Sequence, residues 1–205
     1  MTTLVLDLDG VVVLGHPEKG SWDKDIERDL GIERHRLGLF FKVHFPRVVL
    51  GRADLFETLE RVWPELGYAG DYRAFVEYWF AMDSRLDTDV LAQVASWRGE
   101  GRPAYLATVQ EHHRARHVWD ELGLSGHFDG ILYSASMGVK KPDREFFERA
   151  TERLPVRAAD EILFMDDTPA NVEAARSVGW HAFLHREAKD LQNAIASFTQ
   201  DRARK

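Results

Sequence analysis

The chain has 205 residues, 44% hydrophobic and 30% charged, the profile of a globular protein with room for one full core and a smaller lobe. A net charge of −7 argues against a nucleic-acid surface or an anchor on anionic lipid, and the absence of cysteine excludes disulfides and thiolate metal sites. No apolar run approaches the roughly 20 residues that cross a bilayer and no basic leader precedes the first strand, so the expected setting is the cytoplasm.

The opening stretch Leu4-Val5-Leu6-Asp7-Leu8-Asp9-Gly10 reads as a strand with two acids at its end. Alternate residues of a strand share a face, so Asp7 and Asp9 can project together. An acid pair in an apolar run needs a metal or cations beside it. Asp9-Gly10 also fits a two-residue hairpin turn, a reading that leaves Asp7 unexplained.

From Gly15 to Asp87 the pattern is helical. Ser21 is a candidate cap for a helix ending at Gly31, and Glu33 to Phe45 carries Leu37, Phe40, Phe41 and Phe45 before Pro46. Ala53 to Trp63 repeats the spacing, and Asp71 caps a helix with Phe75, Tyr78, Trp79 and Met82. From residue 88 short apolar strands alternate with helices. The strands are Ala104 to Ala107, Gly130 to Tyr133, Glu161 to Met165 and His181 to Leu184. Between them lie helices Thr88 to Trp97, Glu111 to Leu122, Pro142 to Leu154 and Pro169 to Val178, and a terminal helix that frays at 201–205. Continuous apolar strands separated by helices predict an α/β fold, a Rossmann-like parallel sheet covered on both faces. Residues 1–14 and 88–205 form the expected core, with 15–87 as a helical lobe inserted after the first strand.

Polar residues recur where strands end: Asp7 and Asp9, Thr108, then Asp166 and Asp167, with Lys140-Lys141-Pro142-Asp143 in a loop. A parallel sheet brings these ends to one edge, where open α/β sheets bind ligands. Four carboxylates, a hydroxyl and a lysine make a hard-cation site, and Mg²⁺ prefers oxygen ligands shared with phosphate.

Asp7-Leu8-Asp9-Gly10, Thr108, Lys141-Pro142-Asp143 and Asp166-Asp167 with Asn171, in this order and spacing, resemble the four motifs of the haloacid dehalogenase (HAD) superfamily. The helical insertion resembles that superfamily's C1-type cap. The resemblance implies a Mg²⁺-dependent phosphatase. Asp7 is then the nucleophile, Asp9 the general acid and base, and Thr108 a phosphoryl-binding hydroxyl. Lys141 neutralises the phosphoryl group. Asp7, the Asp9 carbonyl and Asp167 would hold the metal, with Asp166 as ligand, partner of a ligand or lysine anchor. Dehalogenases of the family lack an acid at the Asp9 position and need no metal, so Asp9 favours phosphate-ester hydrolysis. Val109 stands where many relatives carry asparagine, which puts a substrate contact there in question. No counterpart of the mutases' cap lysine and histidine is evident.

Rival readings remain in view. A phospho-acceptor domain also uses acids, threonine and lysine on a parallel sheet, but places its acid pair first in the chain. A non-catalytic binding protein on the same fold is the third class. His113 and His117 are one helical turn apart, a spacing a metal pair shares with a solvated charged face. Tyr72, Phe75, Tyr78 and Trp79 have the spacing of lobe core rather than pocket lining, as do Phe40, Phe41 and Phe45. His16 and Lys19 are candidates to face the site. The expected partner is a small phosphorylated molecule, with monomer and homodimer both open.

Overall fold

The computed structural model describes residues 2–68 and 70–203. The first strand, β1 (Thr3–Leu6), lies at the centre of a five-stranded sheet with β2 (Ala104–Thr108), β3 (Gly130–Tyr133), β4 (Ile162–Asp166) and β5 (His181–Leu184). The order is β3-β2-β1-β4-β5 and every pair is parallel. Register aligns Leu6 with Leu106 on one side and with Met165 on the other, so Asp7, Thr108 and Asp166 all fall at one edge.

Alternation along β1 divides the core. Leu4 and Leu6 pack with Val90, Val94 and Trp97 of α6 (Thr88–Gly99) and with Leu191 and Phe198 of α11 (Ala188–Ala203). Val5 and Phe164 face the other way, onto Phe146 and Phe147 of α9 (Arg144–Arg153) and Val172 of α10 (Pro169–Ser177). Each fully buried aliphatic or aromatic side chain contributes about 1.5–3 kcal/mol relative to exposure, which is why both faces must be covered.

Between β1 and β2 the chain forms α1 (Ile26–Leu30), α2 (Arg34–Val43), α3 (Phe45–Val48), α4 (Leu55–Val62) and α5 (Tyr72–Met82). These helices share a separate apolar cluster that includes Ile26, Leu37, Phe40, Leu59 and Phe75. Asp54 caps α4 by accepting from Phe56 N–H at 2.8 Å, and Asp71 caps α5 by accepting from Arg73 N–H at 2.9 Å. The segments that enter and leave this lobe run antiparallel. Leu14 N–H donates to Arg85 O at 2.7 Å, Arg85 N–H to Gly15 O at 3.1 Å, and Asp87 N–H to Val12 O at 2.9 Å. The Arg85 guanidinium adds bonds to His16 O at 2.9 Å and Leu14 O at 2.7 Å.

Of the two readings of Asp9-Gly10, the hairpin is the one the structure excludes: Leu8 O accepts from both Val12 and Val13 N–H at 2.8 Å, coiling the backbone away from the sheet. Several other sequence expectations are corrected. Ser21 caps no helix, because its hydroxyl donates to Asp23 and α1 begins only at Ile26. Pro142 is not in the first turn of α9; Asp143 keeps an extended ψ of 130 and the helix starts at Arg144. The helix expected over 111–122 is α7 (His112–Arg116) followed by a π-helical turn, His117–Glu121. The expected frayed end is helical through Ala203, with Arg202 donating to Asp160 O at 2.8 Å; residues 204 and 205 lie outside the described residues.

Candidate active site

Asp7 follows β1 directly and its N–H still donates to Met165 O at 2.9 Å, so the sheet itself fixes its backbone. Its Oδ1 accepts from Leu8 N–H at 2.7 Å and lies 2.8 Å from Lys141 Nζ. Both contacts fall on Oδ1, which leaves Oδ2 as the oxygen free to attack or coordinate. Lys141, not Lys140, bridges to Asp166 Oδ2 as well, at 2.6 Å. All three side chains are at most 10% exposed.

Asp166 ends β4 with both carboxylate oxygens engaged. Its Oδ1 accepts from Thr168 N–H and Asn171 Nδ2, each at 2.9 Å, while Oδ2 accepts from Lys141. Of the roles left open for it, this geometry fits the lysine anchor best. Asp167 is exposed, and Asp7, Asp166 and Asp167 offer carboxylate oxygens within 4.8 Å of one another. Gly10, at φ +78, passes so close to the Asp167 carboxylate that a Cβ there would overlap it. The hydroxyl of Thr108, 1% exposed at the end of β2, has no hydrogen-bond partner, an orphan that a phosphoryl oxygen can satisfy.

Burial pushes the Asp7 carboxyl up to about 8, with the Lys141 charge opposing and the Asp166 charge adding to it. Lys141 loses by burial but gains more from Asp7 and Asp166, so its ammonium is held above its usual range. Asp9 is exposed along the cleft and packed against protein on its other side. Burial first, then the Asp83 charge, raise its carboxyl above the usual carboxylate range, with the Arg114 and Lys141 charges opposing.

Two neighbours escaped the sequence reading. Gln110 donates from Nε2 to Asp9 Oδ2 at 2.6 Å, holding that carboxylate. Arg114 is 0% exposed; it lies 3.3 Å from Asp83 Oδ2 and donates to the carbonyls of Phe80 and Asp83. The charged face expected over 112–117 is therefore partly interior. His113 and His117 form no metal pair, since His113 Nε2 lies 2.6 Å from Asp54 and His117 Nδ1 lies 2.9 Å from Glu121. The signal for Gln110 was its position two residues past Thr108. Nothing local marks Arg114.

A cleft of about 570 Å³ opens beside Asp9 and Gly10. Val109 lines it, as do Trp22, Phe45 and Trp79 from the helical lobe. Phe45 and Trp79 thus serve both lobe core and cleft, whereas Phe75 is lobe core alone at 0% exposed. Neither His16 nor Lys19 lines the cleft; His16 Nδ1 accepts from Glu18 N–H at 3.1 Å.

A model of the haloacid dehalogenase-like hydrolases matches residues 1–179. A sesquiterpene phosphatase of Aspergillus oryzae is 36% identical over 98 residues, 46% of this chain and 48% of that protein. Haloacid dehalogenase-like hydrolase domain-containing protein 3 of Mus musculus is 32% identical over 82 residues, 40% of this chain and 33% of that protein. The chain therefore spans about half or less of the length of these curated relatives. A HAD family enzyme from Bacteroides thetaiotaomicron, solved as a magnesium complex, superposes with a TM-score of 0.75 over 90% of this chain and 93% of that one, at 20% identity. A predicted HAD-like family hydrolase from Porphyromonas gingivalis gives 0.76 over 97% and 98%, also at 20% identity. At such identity the likeness is one of fold. No described helix is long and apolar enough to cross a membrane.

Proposed function

This chain belongs to the haloacid dehalogenase-like hydrolases, and within that family we propose that it is a Mg²⁺-dependent phosphatase working through an aspartyl-phosphate on Asp7. The observation that carries the reading is the meeting of Asp7, Asp167 and the Lys141–Asp166 pair at one sheet edge, beside the orphaned Thr108 hydroxyl. The phosphatase named among the relatives and the magnesium complex among the fold neighbours point the same way.

The residues present fit a hard divalent ion. Carboxylate oxygens converge, Gly10 keeps the backbone clear of Asp167, and like charges this close need a cation among them. Asp7, Asp167 and the Asp9 carbonyl would hold it, with Asp166 anchoring Lys141. Bound there, Mg²⁺ supplies positive charge to the phosphoryl oxygens and to the acids.

The chain's own groups then divide the work. The Asp7 carboxylate attacks phosphorus as the ester P–O bond breaks, forming the acyl phosphate. Asp9, held by Gln110, gives its proton to the departing alkoxide. It then takes a proton from the water that attacks phosphorus, and the bond to Asp7 breaks to free phosphate. Lys141 lowers the repulsion between the nucleophile and the anionic phosphoryl group, and Thr108 donates to one of its oxygens. The lobe at 15–87 acts as the cap that bounds the leaving-group side, over a core of 1–14 and 88–205.

The test is phosphate release from p-nitrophenyl phosphate. Activity should require Mg²⁺, vanish with EDTA and vanish in Asp7→Asn. An Asp7→Asn protein as active as its parent removes Asp7 as nucleophile.

A further inference from the structure

The cleft beside the acid cluster is charged in a way that restricts what can leave with the alcohol. Its lining includes two acids, Asp9 and Asp83, and among the described residues one cation, Arg85. That cation is tethered to the backbone, with Nε on His16 O and Nη2 on Leu14 O. Lys141 is buried between Asp7 and Asp166, on the phosphoryl side. A second phosphate or a carboxylate on the substrate would therefore face two acids against a single tethered cation.

Hydroxyl-rich leaving groups meet a different obstacle. Ser21 is the one hydroxyl among the described lining residues, and it donates to Asp23. The Gln110 amide already gives an N–H to Asp9. The lobe wall is instead aromatic. Trp22 stacks on Trp79 with centroids 5.5 Å apart at 29°, and Phe45 meets Trp79 edge-on at 5.8 Å and 67°. Trp22 and Phe45 are only partly buried, so their rings have surface left for a ligand to cover. Val13, Leu14 and Val109 continue this surface toward Asp9. A sugar laid there would lose water from its hydroxyls and gain few partners, whereas an apolar group loses nothing.

We propose that the substrate is a monophosphate ester of an uncharged, mainly apolar alcohol, seated against Trp22, Phe45 and Trp79. This rests on the phosphatase reading above. The cleft's 570 Å³ lies within the range of drug-sized ligands, which leaves room for an alcohol of phenylalkyl or long-chain alkyl size.

The experiment compares primary alkyl esters, which keeps leaving-group basicity similar. The esters are 3-phenylpropyl phosphate and decyl phosphate against glucose 6-phosphate, glycerol 3-phosphate and fructose 1,6-bisphosphate. The expected result is kcat/KM for the apolar esters about 100-fold above the sugar phosphates, with the bisphosphate poorest. In Trp22→Ala and separately in Phe45→Ala, the ratio of phenylpropyl to glycerol phosphate should fall about tenfold, mostly through KM. Equal or better turnover of sugar phosphates or of the bisphosphate overturns the substrate class and leaves the phosphatase reading standing. Turnover of none of these esters nor of p-nitrophenyl phosphate overturns both. A preference for apolar esters that survives both aromatic deletions overturns the assignment of the aromatic wall.

Discussion

Replacing Lys141 with methionine keeps the length of the side chain and removes its charge. In the folded protein the ammonium lies 2.8 Å from Asp7 Oδ1 and 2.6 Å from Asp166 Oδ2. Without metal Asp7 keeps its proton below about pH 8, so the ion pair at neutral pH is the one with Asp166; at an effective dielectric near 20 it represents about 6 kcal/mol of Coulomb attraction, much of it offset by the cost of drying both charges. Methionine leaves Asp166 buried without that attraction. The expected loss in the metal-free protein is about 3–5 kcal/mol, the usual result of stripping one partner from a buried pair. For a chain of this size that corresponds to a fall in Tm of about 10 °C. Urea melts followed by tryptophan fluorescence in EDTA measure it directly. Mg²⁺ should return part of the loss to the variant by supplying another cation to Asp7. Phosphatase activity should fall at least about 100-fold, as when an electrostatic donor is removed from a transition state. A metal-free Lys141→Met protein within about 1 kcal/mol of its parent would refute the argument, because the acids would then be at ease without the lysine.

Two further outcomes follow from the same geometry. Gly10→Ala places a methyl group against the Asp167 carboxylate at a φ of +78, so the Mg²⁺ concentration needed for half-maximal activity should rise about tenfold or more; an unchanged Mg²⁺ titration would mean that Asp167 is not a ligand. The second outcome concerns pH. Without metal, burial raises the Asp7 carboxyl from 3.8 to about 8, so the folded state keeps a proton that the unfolded chain releases. Stability from this group is intact below the unfolded pKa and declines as pH rises from about 4 toward 8. Mg²⁺ competes with that proton, so the rise in Tm on adding Mg²⁺ should be greater near pH 8 than near pH 5.5; the same rise at both would contradict the assignment.

The strand ends were legible because strand and acid differ so sharply in character. An apolar run cannot hold Asp7 or Asp166 inside it, and a parallel sheet leaves one edge where such residues can meet. Lys141 was legible for the complementary reason, as the charge that a crowd of carboxylates needs. Arg114 was not. It sits in a run of histidines and arginines that has the composition of a solvated face, and its partners, Phe80 O and Asp83, lie more than thirty residues earlier. Periodicity reports which face is apolar, not which single charge on a polar face finds a buried acid. Gln110 was hidden by a similar limit, since its bond to Asp9 spans 101 positions. Trp79 and Phe45 fit the expected lobe core and still line the cleft, because a large ring can offer one side to each.

The helical lobe departs from the sheet at Leu14 and returns at Arg85, and those two positions are hydrogen-bonded to each other. The whole lobe is thus inserted between two hydrogen-bonded neighbours of the scaffold, and its further ties to the core, such as Arg114 to Phe80 O and His113 to Asp54, are made by side chains. Strand pairing never passes through the graft, so its helices can lengthen, shorten or be exchanged for another chain's while the pocket floor stays in register. The same acid and lysine cradle can be fitted with a new ceiling, and selectivity can change without retuning the chemistry beneath it.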